Sequence, residues 1–138
     1  MTMAQFIYKA GQFRRSDPVK TLISLDYDGT ASTNVPFWTA FARSAKSVGY
    51  AVMIVTMRDY EEATLIEPEL AHAVDAIVCT DRKAKKDFCQ KLGIHPQIWI
   101  DDMPWAVYLD VGYKPASPVS PLVPDYGSDI SALLKDTK

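Results

Sequence analysis

The stretch TLISLDYDGT, residues 21–30, decides the reading of this chain. Its first half, Thr21-Leu22-Ile23-Ser24-Leu25, is short, mostly apolar and β-prone, as a strand covered on both faces is. Its second half, Asp26-Tyr27-Asp28-Gly29-Thr30, changes character at once. In a strand, residues two apart face the same side, so an extended tip aims both carboxylates at one spot. Gly29 then permits a sharp turn. Two carboxylates held at the edge of an apolar core repel each other, and a cation between them relieves the cost. Mg²⁺ is the usual partner of such a hard oxygen site. A strand cap followed by a turn would account for Asp-Gly, but a turn does not need both aspartates.

Working outward, strand and helix signals alternate. Asn34 can cap a helix with Pro36 in its first turn; Phe37, Phe41, Ala45 and Val48 recur at helical spacing, and Gly49 ends it. A second apolar strand, Ala51-Val52-Met53-Ile54-Val55, ends in Thr56-Met57-Arg58-Asp59. Asp59 with Glu62 reads as a capping box, and Pro68 predicts a helix break near Glu67. Asp75-Ala76-Ile77-Val78-Cys79 is a third strand; Thr80 or Asp81 then starts a helix that runs to about Leu92, with Gly93 behind it. Gln97-Ile98-Trp99-Ile100 is a fourth strand, ending in Asp101-Asp102-Met103-Pro104. Upstream, residues 5–10 suit a strand or a short helix, and Ser16-Asp17-Pro18 a turn. Beyond Leu109, residues 114–124 are proline-rich and read as extended over the surface, with Ser128 capping a short closing helix through Ile130, Leu133 and Leu134.

Strands alternating with helices imply a parallel sheet with right-handed crossovers, and in such sheets ligands bind beyond the carboxyl ends of the strands. Asp26 and Asp28, Thr56, and Asp101 and Asp102 all fall at those ends. Composition bounds the rest. With 138 residues, 48% of them hydrophobic and 23% charged, the chain suits one soluble domain with a real core. The net charge of −2 supplies no global field for nucleic acid or anionic lipid. The local basic density is Arg82, Lys83, Lys85, Lys86 and Lys91. No apolar run approaches the ~20 residues of a membrane span, and the N-terminal residues are not in secretory order. Cys79 and Cys89 form no disulfide framework, which suits a reducing compartment. The expectation is a cytoplasmic enzyme-sized domain over residues 1–138, with its core at about 20–110 and a tail from 111.

Taken in order, these features resemble the haloacid dehalogenase superfamily of phosphohydrolases. The strand with DxDGT (Asp26, Asp28, Gly29, Thr30) resembles its first motif, and the strand ending in Thr56 its second. A lysine at a helix start before the last core strand resembles the third, and the acidic pair after Ile100 the fourth. The likeness spans roughly residues 21–104. It implies an α/β fold: a three-layer α/β/α sandwich around a mostly parallel, Rossmann-like sheet. It also implies a Mg²⁺-dependent phosphomonoester hydrolase. Asp26 would be the nucleophile, forming an aspartyl-phosphate. Asp28 would be general acid and then base, its backbone carbonyl also binding the metal. Mg²⁺ would bridge Asp26, the phosphate and the acidic pair, with Asp102 as the aligned metal ligand and Asp101 flanking it or behind it. Thr56 would hydrogen-bond a phosphoryl oxygen, and Gly29 and Thr30, from the same loop as the nucleophile, would border the substrate.

The lysine has a physical argument of its own. Arg82, Lys83, Lys85 and Lys86 crowd the start of the expected helix, the positive end of its dipole, where cations are disfavoured by about 0.3–1 kcal/mol each. A local rule broken in this way points to an anion held nearby, although solvated surface charge is the plainer account of any one of them. Lys83 and Lys85 are the candidates to reach the phosphate, with Lys85 ahead because Lys83 lies close to the strand end. Thr56-Met57-Arg58 resembles a Thr-x-Arg form of the second motif, which makes Arg58 a substrate-contacting candidate beside the plain reading of a surface arginine. Tyr27 can turn its ring to the core or to the site. Trp38, Trp99 and Trp105 suit core or rim, His72 and His95 have no metal-ligand spacing, and both cysteines suit buried thiols.

Residues 30–34 leave little room for a flap, and no sizeable cap domain is inserted there or before the third motif. An uncapped site suits a large substrate, or closure by a neighbouring subunit in a homo-oligomer. No acid follows the fourth motif within Trp105–Leu109, and Asp101 would serve in its place. The expected partner is a phosphorylated small molecule, or a nucleotide or nucleic-acid end set beside the basic helix start. From another class comes a phosphate- or metal-binding module with little turnover. A receiver-type phosphoacceptor domain ranks behind both, because there the acidic pair sits on the first strand and the acceptor on a later one.

Overall fold

The computed structural model describes residues 7–8 and 20–110. The proline-rich tail with its closing helix, and the turn at Ser16-Asp17-Pro18, lie outside the described residues. In chain order the elements are β1 (Ile7–Tyr8), β2 (Leu22–Leu25), α1 (Val35–Ser47), β3 (Ala51–Thr56), α2 (Tyr60–Ala63), α3 (Pro68–Ala73), β4 (Ala76–Cys79), α4 (Lys85–Lys91) and β5 (Ile98–Ile100). Short 3₁₀ turns occupy Ala31–Thr33 and Pro104–Val107. The sheet runs β1-β4-β3-β2-β5. Strands β2 to β5 are mutually parallel, and β1 adds an antiparallel edge beside β4. The chain is therefore α/β with a mostly parallel sheet, as the alternation of strand and helix signals predicts.

Burial explains why those runs are apolar throughout rather than alternating. A parallel strand covered on both faces has no solvent side, and every residue of β2, β3 and β4 is buried. Alternate residues serve different clusters. Ile23, Leu25, Val52, Ile54 and Ile77 pack with Ala42 of α1, Leu70 of α3 and Val74. Leu22, Ala51, Met53, Val55, Ala76 and Val78 pack with Cys89 of α4 and Ile94. Cys79 and Cys89 are free and buried, and burial pushes both thiols up to about 12, so they are inert as nucleophiles. Among the described residues, no helix is long and apolar enough to cross a membrane.

Local signals decide the helix ends. The Asn34 side chain accepts from the Phe37 N–H at 3.1 Å, and Gly49 leaves α1 at φ +102°. Asp59 and Glu62 form the reciprocal capping box of α2, at 2.7 and 3.1 Å. The break expected near Glu67 is present: α2 ends at Ala63, Glu67 is the N-cap of α3, and Pro68 is its first residue. On α1 the apolar spacing misleads in part. Phe37 and Val48 are 56% and 72% exposed, while the small residues Thr39 and Ala42 face the interior.

The helix expected from Thr80 or Asp81 begins only at Lys85. Asp81 and Arg82 have positive φ, 50° and 66°, which no α-helix accommodates. Their N–H groups donate instead to the carbonyls of Arg58 and Met57, at 3.3 and 2.9 Å. The Thr80 hydroxyl closes the turn by donating to the Lys83 carbonyl at 2.9 Å. Arg82 and Lys83 therefore precede α4, and only Lys85 and Lys86 occupy its first turn.

Candidate functional site

Parallel order brings the ends of β2, β3 and β5 to one edge of the sheet. Leu25 lies beside Ile54 on one side and Ile100 on the other. The Asp26 N–H continues that ladder, donating to the Ile100 carbonyl at 2.9 Å. Regular strand geometry stops there. Residues 27–30 form a turn, with Ala31 N–H donating back to the Asp26 carbonyl at 3.2 Å and Gly29 at φ +82°. The expectation that Asp26 and Asp28 share a face assumes an extended tip, and the turn removes that condition. Asp26 is buried, and Asp28 points out with 57% of its side chain exposed.

Asp26 sits at the centre of a charged cluster. Lys85, the first residue of α4, is only 2% exposed, and its Nζ donates to Asp26 Oδ1 at 2.8 Å and to Asp101 Oδ2 at 2.5 Å. Thr30 Oγ1 accepts from the Asp102 N–H at 3.1 Å and lies 3.0 Å from Asp26 Oδ2 and 3.2 Å from Asp102 Oδ1. The hydroxyl has one proton and so donates to one of these carboxylates at a time. The second Asp101 oxygen accepts from the Met103 N–H at 3.0 Å. Asp26, Asp101 and Asp102 each offer an oxygen, and these atoms lie within 4.8 Å of one another.

The electrostatics of this arrangement are unbalanced. One buried ammonium faces three carboxylates, so the ionised cluster carries a surplus of negative charge. Burial pushes the Asp26 carboxyl up to about 7; the Lys85 ammonium pulls in the other direction but does not offset desolvation. A carboxyl so placed either keeps its proton near neutrality or acquires a cation. Three clustered carboxylates are hard oxygen donors that could hold a metal ion.

The sequence candidates thus divide. Asp26, Thr30, Lys85, Asp101 and Asp102 come together; Lys83 stands apart, exposed in the turn before α4. Thr56 ends β3 at the same edge, buried, its hydroxyl accepting from the Arg58 N–H at 3.2 Å. Asp28 and Arg58 pair with each other. Arg58 Nε and Nη2 each donate to the Asp28 carboxylate at 2.8 Å, and Nη1 donates to the Glu62 carbonyl at 2.9 Å. Tyr27 faces the core, 6% exposed, with the Arg58 guanidinium 5.1 Å from its ring centroid. Sequence reasoning left Tyr27 open and had no signal for the Asp28–Arg58 pair.

Gly29 has a steric role that is separate from its turn. A Cβ built there would run into the Asp102 carboxylate, and its positive φ is one that other residues adopt only at a cost. Gly29→Ala is expected to destabilise the protein by about 1–2 kcal/mol and to displace Asp102. Urea unfolding measures the first effect; an unchanged midpoint would show that the loop absorbs the methyl group without strain.

Fold and site together define a parallel α/β protein with an acidic cluster and a buried lysine at the carboxyl edge of its sheet. Compared with known proteins, the chain matches no family model, no curated protein and no solved structure.

Proposed function

We propose that the chain is a Mg²⁺-dependent phosphomonoester hydrolase of the haloacid dehalogenase type, acting through an aspartyl-phosphate on Asp26. The observation that carries this reading is the setting of Asp26. It stands at the tip of a central strand, with one oxygen on the buried Lys85 and the other on Thr30, within metal-sharing distance of Asp101 and Asp102. A purely structural carboxylate has no need of two acidic neighbours. The two core clusters support a three-layer α/β/α sandwich, and the short turn between β2 and α1 supports a site without a sizeable cap domain.

In this reading an Asp26 oxygen attacks phosphorus in line, and the P–O bond to the leaving group breaks. Lys85 holds the nucleophile in place and limits the charge repulsion around it. Asp28 gives its proton to the departing oxygen, then takes one from the water that cleaves the aspartyl-phosphate, which regenerates Asp26. Thr56 fixes a phosphoryl oxygen, and Gly29 and Thr30 border the phosphate. Asp26, Asp101, Asp102 and the Asp28 carbonyl would hold Mg²⁺, which when bound supplies positive charge against the phosphoryl oxygens. The free, buried thiols are in keeping with a cytoplasmic setting. An open site suits a large substrate or closure by a second copy of the chain.

The test is phosphate release by the purified full chain from an aryl phosphate, from nucleotides and sugar phosphates, and from 3′-phosphorylated oligonucleotides. Each is assayed with Mg²⁺ and with chelator. Release that requires Mg²⁺ is expected. Mg²⁺ binding without release from any of these would replace the hydrolase with a phosphate- or metal-binding module.

A further inference from the structure

The Asp28–Arg58 pair sets the carboxylate that the proposed mechanism uses against a guanidinium whose own role the mechanism does not assign. Its two halves are held very differently. The Arg58 guanidinium is 22% exposed and is fixed by the Glu62 carbonyl and the face of Tyr27 as well as by Asp28. Those other contacts survive departure of the aspartate. The Asp28 side chain is 57% exposed and sits in a turn whose backbone bonds do not involve its carboxylate. Arginine is the fixed member, therefore, and aspartate the exchangeable one. What the site presents is a planar fork of two N–H donors aimed outward and filled by an oxyanion of the chain itself, two residues beyond the nucleophile.

We propose that Arg58 is an oxyanion subsite that selects the substrate, a second anionic group on the substrate taking the place of the Asp28 carboxylate on the guanidinium fork. This rests on the hydrolase reading and adds a substrate class to it: phosphomonoesters that carry a further carboxylate or phosphate. Both groups match the guanidinium fork, since each can accept two parallel N–H bonds. A phosphomonoester without one leaves the fork occupied by Asp28 and gains nothing from it. Exchange of one oxyanion for another at a half-exposed position keeps the charge on Arg58 neutralised throughout, so the step does not leave an unpaired cation.

Steady-state kinetics with Mg²⁺ on three probes test this: p-nitrophenyl phosphate, with no second anion; phosphoserine, with a carboxylate; and thymidine 3′,5′-bisphosphate, with a phosphate. In the wild type, kcat/KM for at least one two-anion probe should exceed that for p-nitrophenyl phosphate by about tenfold or more, the worth of a charged hydrogen-bond pair. The difference between phosphoserine and the bisphosphate identifies the preferred oxyanion. Arg58→Met should abolish the preference by lowering kcat/KM for the two-anion probe far more than for p-nitrophenyl phosphate. Arg58→Lys, which keeps the charge without the fork, should retain only part of the preference. A merely structural arginine would lower all probes together, and that result, or equal turnover of all probes by the wild type, would overturn the subsite and leave the hydrolase standing. No turnover of any probe by the wild type would overturn both.

Discussion

Asp26→Asn is expected to lower Mg²⁺-dependent phosphate release by about a thousandfold or more, the scale on which loss of a nucleophile is felt. The substitution is close to isosteric, which makes the loss informative. Asparagine can still accept from Lys85 at the Oδ1 position, and it places no charge in a site where burial drives the carboxyl up to about 7. The folded protein therefore loses little and can gain, because removing a buried ionisable group ends the desolvation cost above neutral pH. Thermal unfolding in chelator should show the variant at least as stable as the wild type at pH 8. Phosphate release that survives in a folded Asp26→Asn protein would remove the aspartyl-phosphate from the mechanism. Loss of activity together with loss of fold would instead mark Asp26 as structural.

The fold was largely legible because four apolar runs each became a parallel strand, three buried throughout and β5 partly exposed, shifted by no more than a residue or so at either end. Buried parallel strands carry apolar residues on both faces, and few other elements read that way. The cluster was legible for a related reason: chain order places the polar residues that follow such strands on one edge, so Asp26, Thr56, Asp101 and Asp102 could be brought together without coordinates. What failed to show in the sequence depends on backbone conformation and on distant pairing. Asp81 and Arg82 take the left-handed region without being glycine, and this delays α4 and separates Lys83 from Lys85. The turn from Tyr27 undoes the strand periodicity that would have kept Asp28 beside Asp26. Arg58 and Asp28, 30 residues apart, meet across two loops whose conformations no local pattern specifies. On α1, Thr39 and Ala42 are buried and Phe41 and Ala45 pack against the core, whereas Phe37, and Val48 just past the helix, are exposed.

Lys85→Met should destabilise the metal-free protein by about 3–5 kcal/mol at pH 8, the usual cost of removing one partner from a buried ion pair. Methionine fills much of the same volume, so the loss reports charge rather than a cavity. The pH dependence supplies the second half of the test. In the unfolded chain Asp26 ionises near 3.8, whereas the folded protein holds its proton up to about 7. Below the lower value both states are protonated, and the stabilising effect of the retained proton is fully present. As pH rises, the unfolded chain gives up its proton first, and by the time the folded carboxyl ionises that stability has been lost. Metal-free wild type should therefore weaken from about pH 4 to about pH 7 and then level off. Lys85 is the largest influence lowering the Asp26 pKa, so without it the carboxyl keeps its proton to still higher pH. The deficit of Lys85→Met should shrink as the solution is acidified. Mg²⁺ at a hundred times its dissociation constant should return about 2.7 kcal/mol by binding the folded state, and should relieve the variant wherever its carboxylates are ionised. Urea unfolding at pH 5, 7 and 8, with chelator and with Mg²⁺, measures each of these shifts. A Lys85→Met protein as stable as wild type at pH 8 in chelator would mean that the ammonium does not neutralise Asp26 and Asp101, and the acidic cluster would then need another explanation for its place in the core.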